Sequence, residues 1–327
     1  MRRDPRSIQL VAPASVPEAL AAHGADAAYL GGGTTLVDLQ QLGHDVPRTY
    51  VHLGRLGGDH TALRVTDAAV VLGAGLRMAD VAVHPEVVAR HPALAASLQQ
   101  AASPQIRQMA TLGGNVLQRT RCPYFREPHG PCNKRDPGSG CGASGGDTRG
   151  LAVLGTSEAC LANYAGDFAV ALVALQARVR FETPDGETHE IAARDLHRLP
   201  GDTPHRETTL PQGALLTAFV VPHTAGRSVY VKARDRASYA FALASCAAVV
   251  GVVDGRVVEA SLALGGLATV PWPADEAATS LMGKTLGDDA IERAARLAVP
   301  DVETDAPRAF KVDLGRRVVR KALLSLR

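Results

Sequence analysis

The sequence predicts an α+β protein: a first domain over residues 1–224, made of a small subdomain at 1–57 and a second at 58–224, followed by a smaller C-terminal α+β domain over residues 225–327. Three observations carry this reading. Strand-like and helix-like segments alternate through the opening stretch, with a glycine turn among them. Further along, hairpin-like strands and Ala/Leu-rich helical stretches take over. A proline-marked border near VVPHTAGRS then precedes a final stretch with long apolar runs.

Each element follows from its residues. IQLVAP reads as a short strand, and Ser15-Val-Pro-Glu18 as a capping box opening a helix that Gly24 closes. The strand AAYL runs into Gly31-Gly32-Gly33-Thr34-Thr35, the helical LVDLQQLG follows, and TYVHL completes a β-α-β unit. TALRVT and AAVVLGAG are hairpin-like strands, and MADVAVHPEVVARHPALAASLQQAA is helical. SPQIRQMATLGGNVLQ carries a second glycine turn. Residues 118–160 hold eight glycines and four prolines, too many for a regular element, so this segment reads as an insertion with its own task. Regular structure resumes with the helix DFAVALVALQA and the hairpin ARVRFET-PDG-ETHEIAA. The tail holds the runs YAFALASCAAVVGVV and VVEASLALGGLA, then helices ending in the basic amphipathic RRVVRKALLSLR.

Apolar residues make up 46% and charged residues 21%, the balance of a folded globular protein. A net charge of +2 without a Lys/Arg block gives no grip on a nucleic acid backbone. No apolar run reaches the length of a membrane span. Arg2 and Arg3 are followed by Asp4 and Pro5 and not by an apolar h-region, so no signal peptide is expected.

Two features carry chemistry. Glycines followed by threonines at a strand-to-helix turn let backbone N–H groups converge on an anion, with the helix dipole adding to the preference. Thr111-Leu-Gly-Gly-Asn115 has the same ingredients, which suggests two loops clasping opposite sides of one phosphorylated ligand; two unrelated tight turns are the alternative. Cys122, Cys132, Cys141 and Cys160 lie with nine, eight and eighteen residues between them, all in the glycine-rich insert. Thiolates suit soft metals and iron–sulfur clusters, and the absence of C-x2-C pairs leaves zinc, iron–sulfur and unligated thiols all open. Cys246, within LASCAAVV, reads as core. The scattered histidines, His129 among them, form no triad or metalloprotease pattern, and His129 and Lys134 read as loop residues.

Taken together, GGGTTLVDL (31–39), QIRQMATLGGNV (105–116), DFAVALVALQA (167–177), LLTAFVVP (215–222) and YVKARDRASYAFALAS (230–245) resemble the FAD-binding medium subunit of the molybdenum hydroxylases, the xanthine dehydrogenase and carbon monoxide dehydrogenase group. The cysteine insert is similar to the [4Fe–4S] loop in flavin subunits of the periplasmic aldehyde oxidoreductase type. A related insert in 4-hydroxybenzoyl-CoA reductase has different cysteine spacing. The resemblance implies a two-subdomain FAD-binding domain of the PCMH/VAO type and a C-terminal domain of the CO dehydrogenase flavoprotein type. It implies that Tyr29, Leu30, Gly31, Gly32, Gly33, Thr34, Thr35 and Leu36, with Thr111, Gly113, Gly114 and Asn115, hold the FAD diphosphate. Asp167, Leu216 and Lys232 would line the rest of the cofactor, and the four insert cysteines would ligate a [4Fe–4S] cluster. The implied activity is that of an aldehyde oxidoreductase subunit, electron transfer from a molybdenum-cofactor large subunit and a [2Fe–2S] small subunit to an external acceptor; the flavin subunit of a 4-hydroxybenzoyl-CoA reductase-type enzyme and a zinc-stabilised nucleotide-binding scaffold without redox role are the alternatives. The implied location is the periplasm, by co-export with a signal-bearing partner, with the cytoplasm as the alternative.

Overall fold

A computed structural model describes residues 8–44 and 46–327; Arg2, Arg3, Asp4 and Pro5, on which the signal-peptide expectation rests, lie outside the described residues. The chain opens with β1 (Gln9–Val11), α1 (Val16–Ala22), β2 (Ala27–Leu30), α2 (Leu36–Gln41) and β3 (Thr49–His52), and the strands pair in parallel in the order β1-β3-β2. Ser15 caps α1 through its hydroxyl, which accepts from the Glu18 N–H, while the Glu18 carboxylate reaches back to the Ala14 N–H at 2.9 Å. The helix ends at Ala22 with His23 as its cap, so it stops a residue before Gly24.

The next unit contains β4 (Leu63–Val65), β5 (Ala69–Gly73), the short helices α3 (Met78–Ala82), α4 (Pro85–Arg90), α5 (Pro92–Gln100), α6 (Pro104–Met109), α7 (Leu112–Val116) and α8 (Pro123–Arg126), then α9 (Phe168–Ala174), β6 (Arg178–Glu182), β7 (Thr188–Ala192) and β8 (Leu215–Pro222). Its five strands pair antiparallel in the order β4-β5-β8-β6-β7. The TLGGN segment is not a turn. Thr111 caps α7, its hydroxyl accepting from the Gly114 N–H at 3.2 Å, and both glycines lie inside the helix. They are tolerated there because Gly113 packs on the Ala74 backbone, where a Cβ would sit 3.2 Å from the Ala74 side chain.

The last unit is a four-stranded antiparallel sheet in the order β12-β11-β10-β9, formed by β9 (Arg227–Ala233), β10 (Ala244–Val253), β11 (Arg256–Gly265) and β12 (Trp272–Pro273). Helices α10 (Asp275–Leu281), α11 (Asp288–Ala298) and α12 (Ala306–Leu324) follow. Along β10, Cys246, Ala248 and Val250 pack with the helices, whereas Ala247 and Val249 join the core of the preceding unit. A strand buried on both faces reads as a continuous apolar run, and LASCAAVV does. The sheet therefore shares one of its faces with its neighbour, and helix α9, buried at every residue, fills the space between them. Among the described residues no helix is long and apolar enough to cross a membrane.

Candidate functional site

A cavity of about 650 Å3 opens where the first subdomain meets the second, within the range of roughly 300–1,000 Å3 typical of small-molecule sites. The whole segment Tyr29 to Leu36 lines it, together with Thr111, Gly113, Gly114 and Leu216. Position follows from topology. Strand β2 delivers the glycines to the mouth of the parallel sheet, and the Tyr29 hydroxyl fastens that strand to the Gly213 carbonyl at 2.8 Å, just before β8 brings in Leu216. Burial pushes the Tyr29 phenol up to about 12, so it stays a donor.

The two glycine loops do not face each other across the cavity. They touch. A Cβ on Gly32 would lie 1.8 Å from the Met109 carbonyl, and one on Gly31 would lie 2.6 Å from the Thr111 hydroxyl. Gly33 adopts a φ of +72°, which a residue with a side chain rarely does. The N–H groups of Gly32, Gly33, Thr34 and Thr35 have no hydrogen-bond partner within the described residues. The result is a continuous glycine-walled shelf with free backbone donors, which suits an extended anion such as a diphosphate.

The further residues lining this cavity include two histidines and two arginines that were not singled out in the sequence: His52, His60, Arg77 and Arg119. Burial pushes the His60 imidazole down to about 4, so it is neutral near pH 7, and its Nδ1 is buried without a partner. An orphaned polar atom on a cavity wall fits a polar ligand. The signal for His60 was present in Gly73 and Gly75, since a Cβ on Gly75 would come within 2.5 Å of the imidazole. A close approach of backbone to an aromatic ring needs glycine.

Asn115, Asp167 and Lys232 do not line the cavity. The Asn115 amide oxygen is buried without a hydrogen-bond partner among the described residues. Asp167 and Lys232 form an ion pair of 2.8 Å, with the carboxylate 4% exposed and the lysine side chain fully enclosed. The Tyr230 hydroxyl donates to the same carboxylate at 2.5 Å, and the ammonium donates to the Gln100 carbonyl at 3.0 Å. Burial raises the Asp167 pKa, and Lys232 and Tyr230 oppose that rise. This pair joins α9 to β9 across the shared core.

The four insert cysteines converge. Cys122, Cys132, Cys141 and Cys160 all line one small cavity, walled also by Tyr124, Phe125 and Pro131. Burial pushes the Cys122 thiol up to about 11 and raises Cys160 as well. Among the described residues no three His, Cys, Asp or Glu side chains close on a single point as one metal ion requires. Cys246 is fully buried in the C-terminal sheet, apart from this group. Lys134 binds Glu207 and the Pro204 carbonyl, so it anchors the insert instead of merely solvating it.

The insert is tied to the glycine-walled cavity. Asp38 of α2 accepts from Arg126 through both oxygens, at 2.8 and 3.1 Å, and from Arg121 at 3.1 Å, and these two arginines bracket Cys122. Arg126 and Arg121 hold the Asp38 carboxyl below its usual range. Leu39, the next residue, lines the large cavity and also packs into the apolar cluster that contains Cys122, Cys132 and Cys160. Arg119 lines the cavity, pairs with Glu207 at 2.8 Å and lies over the Phe125 ring at 4.5 Å.

Residues 6–224 match the model of the FAD binding domain in molybdopterin dehydrogenase, and residues 228–326 match the CO dehydrogenase flavoprotein C-terminal domain. The chain belongs to the FAD-binding medium subunits of the molybdenum hydroxylases. It is 45% identical over 258 residues to the aldehyde oxidoreductase FAD-binding subunit PaoB of Escherichia coli K12, covering 78% of this chain and 79% of that one. It is 25% identical over 328 residues to the carbon monoxide dehydrogenase medium chain of Afipia carboxidovorans, covering 98% and 96%. The fold matches that in reconstituted CO dehydrogenase from Oligotropha carboxidovorans with a TM-score of 0.77 at 24% identity over 99% of both chains. As an oxidoreductase flavin subunit, the protein has one cavity of dinucleotide size built on glycine loops and a second, thiol-lined cavity next to it.

Proposed function

We propose that this flavin subunit is the FAD- and [4Fe–4S]-bearing electron-transfer subunit of a molybdenum-cofactor aldehyde oxidoreductase. The observation that carries the reading is the convergence of four cysteine thiols on one cavity, three of them packed in an apolar cluster with Leu39, which also lines the flavin-sized cavity. The aldehyde reading is supported by the 45% identity to a subunit named for aldehyde oxidoreductase. Substrate oxidation would take place on a molybdenum-cofactor large subunit, with a [2Fe–2S] small subunit and an external acceptor completing the chain of carriers.

In this reading the free N–H groups of Gly32 to Thr35 hold the FAD diphosphate, with Gly31, Thr111, Gly113 and Gly114 walling the shelf beside them, and His60 presents a neutral imidazole to the cofactor. When bound, FAD would take up and release electrons singly or in pairs, which lets it join one-electron iron–sulfur carriers to an external acceptor. The protein's own work is to bind, orient and exclude water. Leu39 and Phe125 keep the space between the two cavities apolar, and the Asp38 bridge to Arg121 and Arg126 fixes the position of Cys122 relative to α2. Four cysteine thiols and no histidine or carboxylate in the small cavity are a donor set that, once deprotonated, would suit an iron–sulfur cluster.

An anaerobic absorption spectrum of the purified chain, with iron, acid-labile sulfide, zinc and released flavin quantified on the same sample, tests this. About four irons, four sulfides and one FAD per chain are expected. Zinc without sulfide would refute the cluster, and absence of flavin would refute the cavity assignment. Cys132→Ser is expected to abolish bound iron and sulfide, and unchanged iron would remove Cys132 from the ligand set.

A further inference from the structure

Cys132 and Cys141 stand directly opposite each other across an isolated antiparallel bridge. The bridge is closed by two backbone hydrogen bonds, Gly142 N–H to the Pro131 carbonyl at 2.9 Å and Asn133 N–H to the Gly140 carbonyl at 2.7 Å. These bonds flank the cysteines and do not join them, so the two form a non-hydrogen-bonded pair. Such pairs bring the Cα atoms to about 4.5 Å and the side chains closer still. A disulfide accepts Cα separations of roughly 4.4–6.8 Å.

The turn between them is held in place. The Asn133 side chain accepts from the N–H groups of Gly138 and Gly140 at 3.2 and 2.8 Å, the Cys132 carbonyl accepts from Arg135 and Asp136, and the Cys132 N–H donates to the Ser139 hydroxyl at 3.0 Å. Gly138 and Gly140 adopt φ values of +90° and +98°, which fix the reversal. The opposition of the two thiols is thus a property of the chain's own hydrogen bonding. Cys141 is the more exposed of the two, Cys132 being buried at 8%.

We propose that the metal-free insert carries a redox site: Cys132 and Cys141 form an intramolecular disulfide, specific to this pair among the five cysteines. With a low-molecular-weight disulfide as oxidant, the Cys141 thiolate attacks one oxidant sulfur and releases one thiol. The Cys132 thiolate then attacks the Cys141 sulfur, forming the S–S bond and expelling the second thiol. Two electrons and the two thiol protons leave the chain for the oxidant. The pairing rests on backbone geometry alone. Its consequence rests on the cluster reading: a joined Cys132–Cys141 leaves two free thiols in the cavity, so disulfide and four-thiolate cluster exclude each other.

Trypsin places the insert cysteines on separate peptides, because Arg121, Arg126, Lys134, Arg135 and Arg149 separate Cys122, Cys132, Cys141 and Cys160. The experiment takes the full chain, removes metal anaerobically with a chelator, oxidises it with glutathione disulfide, alkylates free thiols and maps the digest without reduction. Most molecules are expected to show peptide 127–134 joined to peptide 136–149, with Cys122, Cys160 and Cys246 alkylated. The same oxidation in urea is expected to scatter the pairing, and Cys132→Ser or Cys141→Ser to abolish the cross-link. Recovery of Cys132 and Cys141 as alkylated thiols, their linkage to Cys122 or Cys160, or a native pattern no more selective than that in urea overturns the proposal. Iron and sulfide counts on the untreated protein report on the cluster separately, so the two readings fail by different measurements.

Discussion

Gly32 shows how far one missing methyl group can matter. Its backbone lies so close to the Met109 carbonyl that any Cβ forces the two glycine loops apart. Gly32→Ala is therefore expected to weaken flavin retention about tenfold or more, corresponding to overpacking of about 1–3 kcal/mol. Flavin released per chain after gel filtration is the measure, and full retention would mean that the shelf does not hold the cofactor. Lys232 makes a different argument, because removing a buried partner leaves a buried charge. Lys232→Met strands the Asp167 carboxylate at a cost of about 3–5 kcal/mol. A urea midpoint that hardly moves would indicate that Asp167 takes up a proton instead.

Among the elements, α12 does more than its sequence suggested. RRVVRKALLSLR reads as a solvated basic face over a packed one, and Val318, Val319, Ala322 and Leu323 are indeed buried. The unforeseen part is its beginning. Asp305, the helix cap, accepts from the Thr148 hydroxyl at 2.7 Å, Arg308 donates to the Ala152 carbonyl at 2.7 Å, and Lys311 donates to the carbonyls of Leu151 and Gly266 at 2.8 and 2.6 Å. These bonds clamp the far end of the cysteine insert to the C-terminal unit. Lys311→Met leaves two buried carbonyls unpaired and is expected to cost about 2–3 kcal/mol. Faster amide exchange localised to residues 151–153 distinguishes loss of the clamp from general destabilisation. Nothing in the sequence marks Lys311 as buried, since a lysine in a basic helix is ordinarily solvated.

For the molecule as a whole, three buried histidines contribute to the response to acid. Burial lowers His60, His91 and His197 to about 4 each, and His223 and Arg90 add to the effect at His91. The unfolded chain takes up these protons near pH 6.5, whereas the folded chain resists until about pH 4. Stability is thus fully present above about 6.5 and falls as the pH drops toward 4, by up to roughly 3 kcal/mol per histidine. Urea midpoints between pH 7 and 4.5 should decline in the wild type and decline less when each histidine is replaced by glutamine. Equal slopes in wild type and variants would assign the acid sensitivity to carboxylates. His91 and His223, scattered in sequence, meet at 3.2 Å because α5, which begins just after His91, packs on β9, and His223 lies in the turn that leads from β8 into β9.

The sequence by itself determined the order and type of most elements and the segments that build the large cavity. These are local matters: strand pairing shows as apolar alternation, and close backbone approach shows as glycine, as at 31–33 and 113–114. It also marked the insert, because thiols gathered in a glycine-rich loop have few structural uses. Tertiary structure alone decided what depends on distant segments meeting. It placed His60 and Arg119 on the cavity wall and made Asp38 the bracket around Cys122. It took Asp167 and Lys232 into a buried pair away from that wall. It set Cys132 opposite Cys141 while sending Cys246 to a separate core. Side-chain partners across 80 or more residues follow from how sheets and helices stack, and no local periodicity encodes that.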